Sequence, residues 1–81
     1  MPKKTEIEKE LDRRRRTGNA LRLAREKAGL TLLDVKKHTG LSVPYLSDVE
    51  RGNRDIKPVK LHSVITAMRL SAEEAVGIYR E

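Results

Sequence analysis

The chain has 81 residues, 18 of them Lys or Arg and 12 Asp or Glu, which gives a formal charge of +6 and room for one domain. Cysteine is absent, which excludes disulfide staples and thiolate zinc sites, so the fold rests on the 37% of residues that are hydrophobic. No apolar run approaches the roughly 18 residues of a membrane span and no signal-peptide pattern opens the chain, so a soluble, cytoplasmic protein that prefers polyanions is expected.

Residues 1–16 carry seven basic and four acidic groups, so one fifth of the chain holds +3 of the +6. They form a basic N-terminal extension, ending in Arg13, Arg14, Arg15 and Arg16, that can be helical. Thr5-Glu6-Ile7-Glu8 reads as a capping box, and Glu10 to Arg14 and Asp12 to Arg16 have the spacing of helical ion pairs. Only Ile7 and Leu11 provide an apolar stripe. Thr17-Gly18-Asn19 reads as a break or hinge, or as the start of the next helix, so residues 17–81 are taken as the domain proper.

From there the apolar spacing is helical throughout. A first helix turns Leu21, Ala24 and Ala28 inward and stops at Gly29. Thr31 caps a second, with Asp34 at the capping-box position and Leu32, Val35 and Thr39 inward. After Gly40-Leu41, Ser42 caps a third, with Pro44 in the first turn and Leu46 and Val49 inward; Gly52 closes it. Pro58 opens a fourth helix with Leu61, Val64, Ile65 and Met68 on one face. Ser71 caps a short fifth carrying Ala72, Ala75, Val76 and Tyr79. Ile78 lies off that stripe and reads as a candidate dimer contact.

The second and third helices are joined too tightly to pack antiparallel, which is the pattern of a helix-turn-helix. The third buries Leu46 and Val49 and leaves Val43, Pro44, Ser47 and Asp48 outside, while Ser42 sets uncompensated amides at its start, suited to a phosphate. Any small helical bundle also has capped helices with polar outer faces. Catalytic patterns are lacking: there is no HExxH, nucleophile elbow, Walker loop or G-x-G-x-x-G, and a set drawn from Ser47, His38 and Asp48 is what any short polar sequence offers. No catalytic residue, metal ligand or cofactor is expected, and His38 and His62 read as surface histidines.

The stretch from Gly18 to about Tyr79 resembles the DNA-binding domain of the phage Cro and lambda-repressor (Xre) family. The resemblance rests on Leu21-Arg22 with Arg25, on Gly29-Leu30-Thr31, on Asp34-Val35 with Gly40-Leu41-Ser42, and above all on the run from Ser42 to Gly52. It implies an all-α, compact five-helix lambda-repressor-like domain in which Arg25 and Glu50 form a structural salt bridge. It also implies base readout by Ser42, Val43, Pro44, Ser47 and Asp48. Phosphate contacts would come from Tyr45, Arg51, Arg54 and the amides near Thr31 and Leu32, with Lys57 beside them. The family commonly has glutamine where this chain has Leu32 and alanine where it has Lys36, so Leu32 can offer only its amide and Lys36 must reach outward, where it can add a phosphate contact. Val43 and Pro44 offer apolar contact in place of bidentate base pairing.

A transcriptional regulator follows, a repressor in its simplest form, with helix 42–51 in the major groove of double-stranded DNA; Arg13 to Arg16 read either as a phosphate or minor-groove arm or as a solvated charge run on a helix that pairs with Glu10 and Asp12. The resemblance further implies a homodimer on a near-palindromic operator, through helix 71–79 or the N-terminal arm. The chain is also readable as the DNA-binding part of a longer regulator. Two alternatives are an antitoxin that autorepresses and a protein-binding module that has lost DNA readout, whose partners would be a toxin or a host regulator. A membrane-bound role is not expected, since Ile7 and Leu11 make too thin an apolar face.

Overall fold

Thr5 starts the first helix by accepting a hydrogen bond from the Glu8 amide on its hydroxyl, at 3.1 Å. In the computed structural model, which describes residues 4–69 and 77–78, this helix (α1) runs without interruption over Glu6–Lys27. The break expected at Thr17-Gly18-Asn19 is therefore absent, and the basic extension is the first half of α1. Glycine stands at position 18 because another backbone needs the space. A Cβ there would lie 2.2 Å from the Val49 carbonyl oxygen and 2.7 Å from that of Glu50. Glycine costs about 1 kcal/mol in a helix interior relative to alanine; here that cost is offset by close packing of two helices.

Three shorter helices follow, α2 (Leu32–Thr39), α3 (Val43–Glu50) and α4 (Pro58–Ala67). Ala28, expected to face inward, is instead the exposed C-cap of α1, and the chain turns at Gly29 just beyond it. The α2 start is a full capping box: Thr31 Oγ1 accepts from the Asp34 amide at 3.1 Å, and the Thr31 amide donates to the Asp34 carboxylate at 2.8 Å. Gly40 ends α2 in the left-handed region (φ +76°), with its amide 2.7 Å from the Lys36 carbonyl. The Leu41 amide donates to Thr39 Oγ1 at 3.1 Å, which pins the turn. Ser42 then caps α3 by accepting from the Tyr45 amide at 3.2 Å, and Pro44 occupies the first turn, where no N–H is required. Pro58 serves the same purpose at the start of α4.

The core gathers Leu21 of α1, Val35 of α2, Leu46 and Val49 of α3, Leu61, Val64 and Ile65 of α4, and Ile56, Met68 and Ile78. Each such side chain contributes on the order of 1.5–3 kcal/mol of gross transfer free energy. Through them α1 packs on α3, and α2 packs on both α3 and α4. Ile78 is 5% exposed and belongs to this core, which overturns its assignment as a dimer contact. The described residues contain four helices and no strand, where five helices were expected. Gly77 and Ile78 are helical, and the rest of the expected helix over 71–79 lies outside the described residues. No helix among the described residues is long and apolar enough to cross a membrane.

Candidate nucleic-acid interface

Burying Leu46 and Val49 fixes the rotation of α3 and decides which side chains face out. Ser42 and Pro44 are exposed, and Val43, Ser47 and Asp48 are half-buried on the outer side. These short side chains leave the α3 surface low. Asp48 accepts from Arg51 Nη2 at 3.2 Å, one helical turn on, so the charge at the end of this face is largely cancelled in place. At the start of α2, Thr31 is exposed and Leu32 half-buried against the core; Lys36 is exposed on the same helix.

Cations flank α3 on the loop that follows it. Tyr45 packs its half-buried ring against the core, and burial pushes its phenol pKa up, partly opposed by the charge of Arg54. The Arg54 guanidinium lies 5.3 Å from the ring centroid and the Lys60 ammonium 5.0 Å, so two cations converge on one aromatic. Lys57 pairs with Asp55 at 3.7 Å. Sequence reasoning did not single out Lys60. Its position three residues into a helix opened by Pro58, below a loop rich in basic groups, was the available signal.

Two ion pairs fix this surface to α1. Arg25 donates Nε to Glu50 Oε2 at 2.7 Å and Nη2 to Glu50 Oε1 at 2.9 Å, and its Nη1 reaches the Leu30 carbonyl at 2.8 Å. Donating to the Glu50 carboxylate raises the Arg25 pKa, against a smaller effect of burial. Arg13 donates to Glu10 at 3.0 and 2.7 Å and to Asp55 at 2.8 Å, which ties α1 to the loop after α3. Arg13 holds the Glu10 carboxyl down to about 2. At Asp55 burial pulls the pKa up, but the Arg13 hydrogen bond and the charges of Arg13 and Lys57 bring it below the ordinary carboxylate value.

Arg14 also bonds Glu10, at 3.2 Å, and the stem of Arg15 lies against Gly52, where an added Cβ would meet its Cγ at 2.6 Å. The charge of Arg16 acts on Asp12. The four arginines thus sit on a helix rather than in a loose arm. His38 and His62 line one shallow groove with Ser63, Thr66 and Arg69. Among the described residues no cluster of His, Cys, Asp or Glu has the make-up of a metal site.

The helix-turn-helix domain family model matches residues 16–76, which contain α2, the Gly40 turn and α3. The chain belongs to the helix-turn-helix family. Its Xre-type character is supported by its relatives. The domain is 40% identical over 67 residues to an uncharacterised HTH-type transcriptional regulator of Sinorhizobium fredii, covering 82% of this chain and 86% of that protein. It is 39% identical over 56 residues, 69% of this chain, to an uncharacterised HTH-type transcriptional regulator of Mycobacterium tuberculosis, of whose length the match spans 40%. Among solved structures it is similar to the clp gene regulator ClgR from C. glutamicum, with a TM-score of 0.75 at 31% identity, over 84% of this chain and 88% of that one.

Proposed function

We propose that this helix-turn-helix domain regulates transcription by binding double-stranded DNA sequence-specifically, with α3 in the major groove, and that its simplest action is repression by occluding a promoter. The observation that carries this reading is the outer side of α3. Ser42, Val43, Pro44, Ser47 and Asp48 form a low, nearly neutral surface bordered by Arg51, Arg54, Lys57 and Tyr45. Such a surface lets the helix axis approach base edges while the flanking cations hold phosphates. The first-turn amides of α2 near Thr31 and Leu32, with Lys36, supply a second phosphate contact across the groove. Arg13 and Arg14 already satisfy carboxylates, so the basic half of α1 contributes long-range attraction more than direct contact.

Val43 and Pro44 can touch thymine methyl groups but cannot hydrogen-bond a base, so discrimination falls to Ser47, Asp48 and the shape of the duplex. Relatives named as HTH-type transcriptional regulators, and the gene regulator ClgR, support a role in transcription. A two-fold dimer on a near-palindromic site follows from how such domains reach two half-sites about 34 Å apart. The test is selection from random duplex DNA followed by a salt titration of the winning sequence. Log affinity should fall with log salt by about 0.9 per phosphate neutralised. Failure to enrich any sequence, or an affinity indifferent to salt, removes the proposal.

A further inference from the structure

Where α2 and α4 end beside one another, the surface opens into a groove of about 340 Å³ lined by His38, His62, Ser63, Thr66, Ala67 and Arg69. A second hollow, of about 280 Å³, shares His38, Ala67 and Arg69 with it and adds Ala28, Leu30 and Met68. These sizes lie near the lower end of the roughly 300–1,000 Å³ typical of small-molecule sites. No lining residue belongs to α3 or to the basic loop after it, so the groove is separate from the surface assigned to DNA.

The chemistry of its walls has one sign: no carboxylate lines either hollow, while Arg69 and two histidines do. His38 Nδ1 lies 2.9 Å from the Asp34 carbonyl oxygen. A carbonyl can only accept, so Nδ1 carries the proton and Nε2 is left to meet a ligand, as a donor once the ring is charged. Arg69 sits one residue past the C-cap of α4 in the left-handed region (φ 54°), which L side chains rarely adopt. It makes no ion pair among the described residues. Helix ends favour positive charge, and both helices end here. The carbonyls that would repel an anion are engaged: Val35 by Thr39 Oγ1, Lys36 by the Gly40 amide, Val64 by that of Met68, and Thr66 by that of Arg69. The charges that bear on His38 are Asp34 and Lys37 of its own helix, and His62 and Arg69 from the α4 side. The Asp34 carboxylate already accepts from the Thr31 amide, and the end of α1 offers only neutral Ala28 and Leu30.

We propose that this groove binds a small organic anion, with a phosphate or carboxylate head among His38, His62 and Arg69 and a short apolar body against Ala28, Leu30 and Ala67. The head falls at His38 and Arg69 because these two line both hollows. A divalent metal is a poor occupant, since Arg69 repels it and only two imidazoles are at hand. Bound there, the anion ties α2, the first half of the helix-turn-helix, to the end of α4. The groove is then an effector site, and its occupant stabilises the folded chain. Because the anion and the second proton on His38 favour one another, binding strengthens as the ring becomes charged.

The test is an NMR titration of the ¹⁵N-labelled full chain without DNA, at fixed chloride, with hexanoate, phenyl phosphate and neutral 1-hexanol. Both anions should give saturable shifts centred on His38, His62, Thr66 and Arg69, with a Kd of about 0.1–5 mM, and 1-hexanol none. The tighter of the two identifies the head group. Arg69→Gln and His38→Gln should each weaken binding by about 5-fold or more, with circular dichroism confirming that they fold. Arg22→Gln, which removes one charge from α1 elsewhere, should stay within about twofold of wild type. Affinity for hexanoate, ionised throughout, should fall several-fold from about pH 6 to about pH 8 as the imidazolium is lost. Shifts that never saturate, that centre on α3 and its loop, or that 1-hexanol reproduces would overturn the proposal. So would Arg69→Gln and His38→Gln variants that bind like wild type, or Zn²⁺ shifting these residues where neither anion does. Because no DNA is present, such an outcome leaves the DNA-binding reading to be judged by its own selection experiment.

Discussion

With 14% of the Arg25 side chain and 10% of the Glu50 side chain exposed, neither charge has solvent to fall back on if the other is removed. Glu50→Ala should therefore cost about 3 kcal/mol. In a domain this small the melting temperature should fall by more than about 10 °C in a thermal scan; an unmoved transition would show that the pair stabilises nothing. Gly18→Ala tests the opposite intuition. Helix propensity alone predicts a gain of about 1 kcal/mol, but the new methyl would strike the Val49 carbonyl at 2.2 Å and push α1 off α3. A loss of about 1–3 kcal/mol by urea denaturation is expected. The sequence could not separate these cases, because a glycine marking a hinge and one admitting a neighbouring backbone look alike. The approaching carbonyl belongs to residue 49, 31 positions away.

Among the elements, α3 is the one whose substitutions should change preference without changing stability. Ser47→Ala should alter which bases are enriched by about 1–3 kcal/mol per disturbed contact while the melting temperature stays put. Asp48→Ala should do more. It frees Arg51 from its 3.2 Å pair, so affinity for all DNA should rise and the salt slope steepen by about one phosphate as base preference changes. A slope identical to wild type would show that Arg51 does not contact phosphate. Helix starts were the most legible part of this chain, because a cap is a local device: Thr31 with Asp34, Ser42 with Pro44, and Pro58 each announce their helix within four residues. The ends were less so. Ala28 continues the α1 stripe by spacing, yet it falls where the chain leaves the helix for Gly29, and only the exposed turn reveals it. Ile78 was misread for a related reason, since a one-residue offset from a stripe cannot say which side of a terminal helix the core lies on.

At the scale of the molecule, acid should loosen the fold through carboxylates whose pKa is lowered in the native state. Glu10 is held down to about 2 from an ordinary 4.5, and Asp34 and Asp55 also lie below their ordinary 3.8. A group with a depressed native pKa contributes stability above its unfolded value and loses it as pH falls through the native one. The melting temperature should thus be level near neutrality and decline from about pH 4.5 toward pH 2. Asp55→Asn should melt lower at pH 7, and its curve should approach that of the wild type as the pH nears 2. This network was not legible in the sequence, because Arg13 and Asp55 lie 42 residues apart and nothing local joins them. The uninterrupted α1 has a consequence of its own. Its 22 residues make a rod of about 33 Å, with one end in solvent and the other bonded to the end of the proposed reading helix. Gly18 lets that rod rest directly on the α3 backbone, without a side chain to cushion it. Arg13 also holds Asp55 and the Arg15 stem lies against Gly52, so the rod is fastened to α3 and to the loop beyond it at three successive points and braces them as one unit.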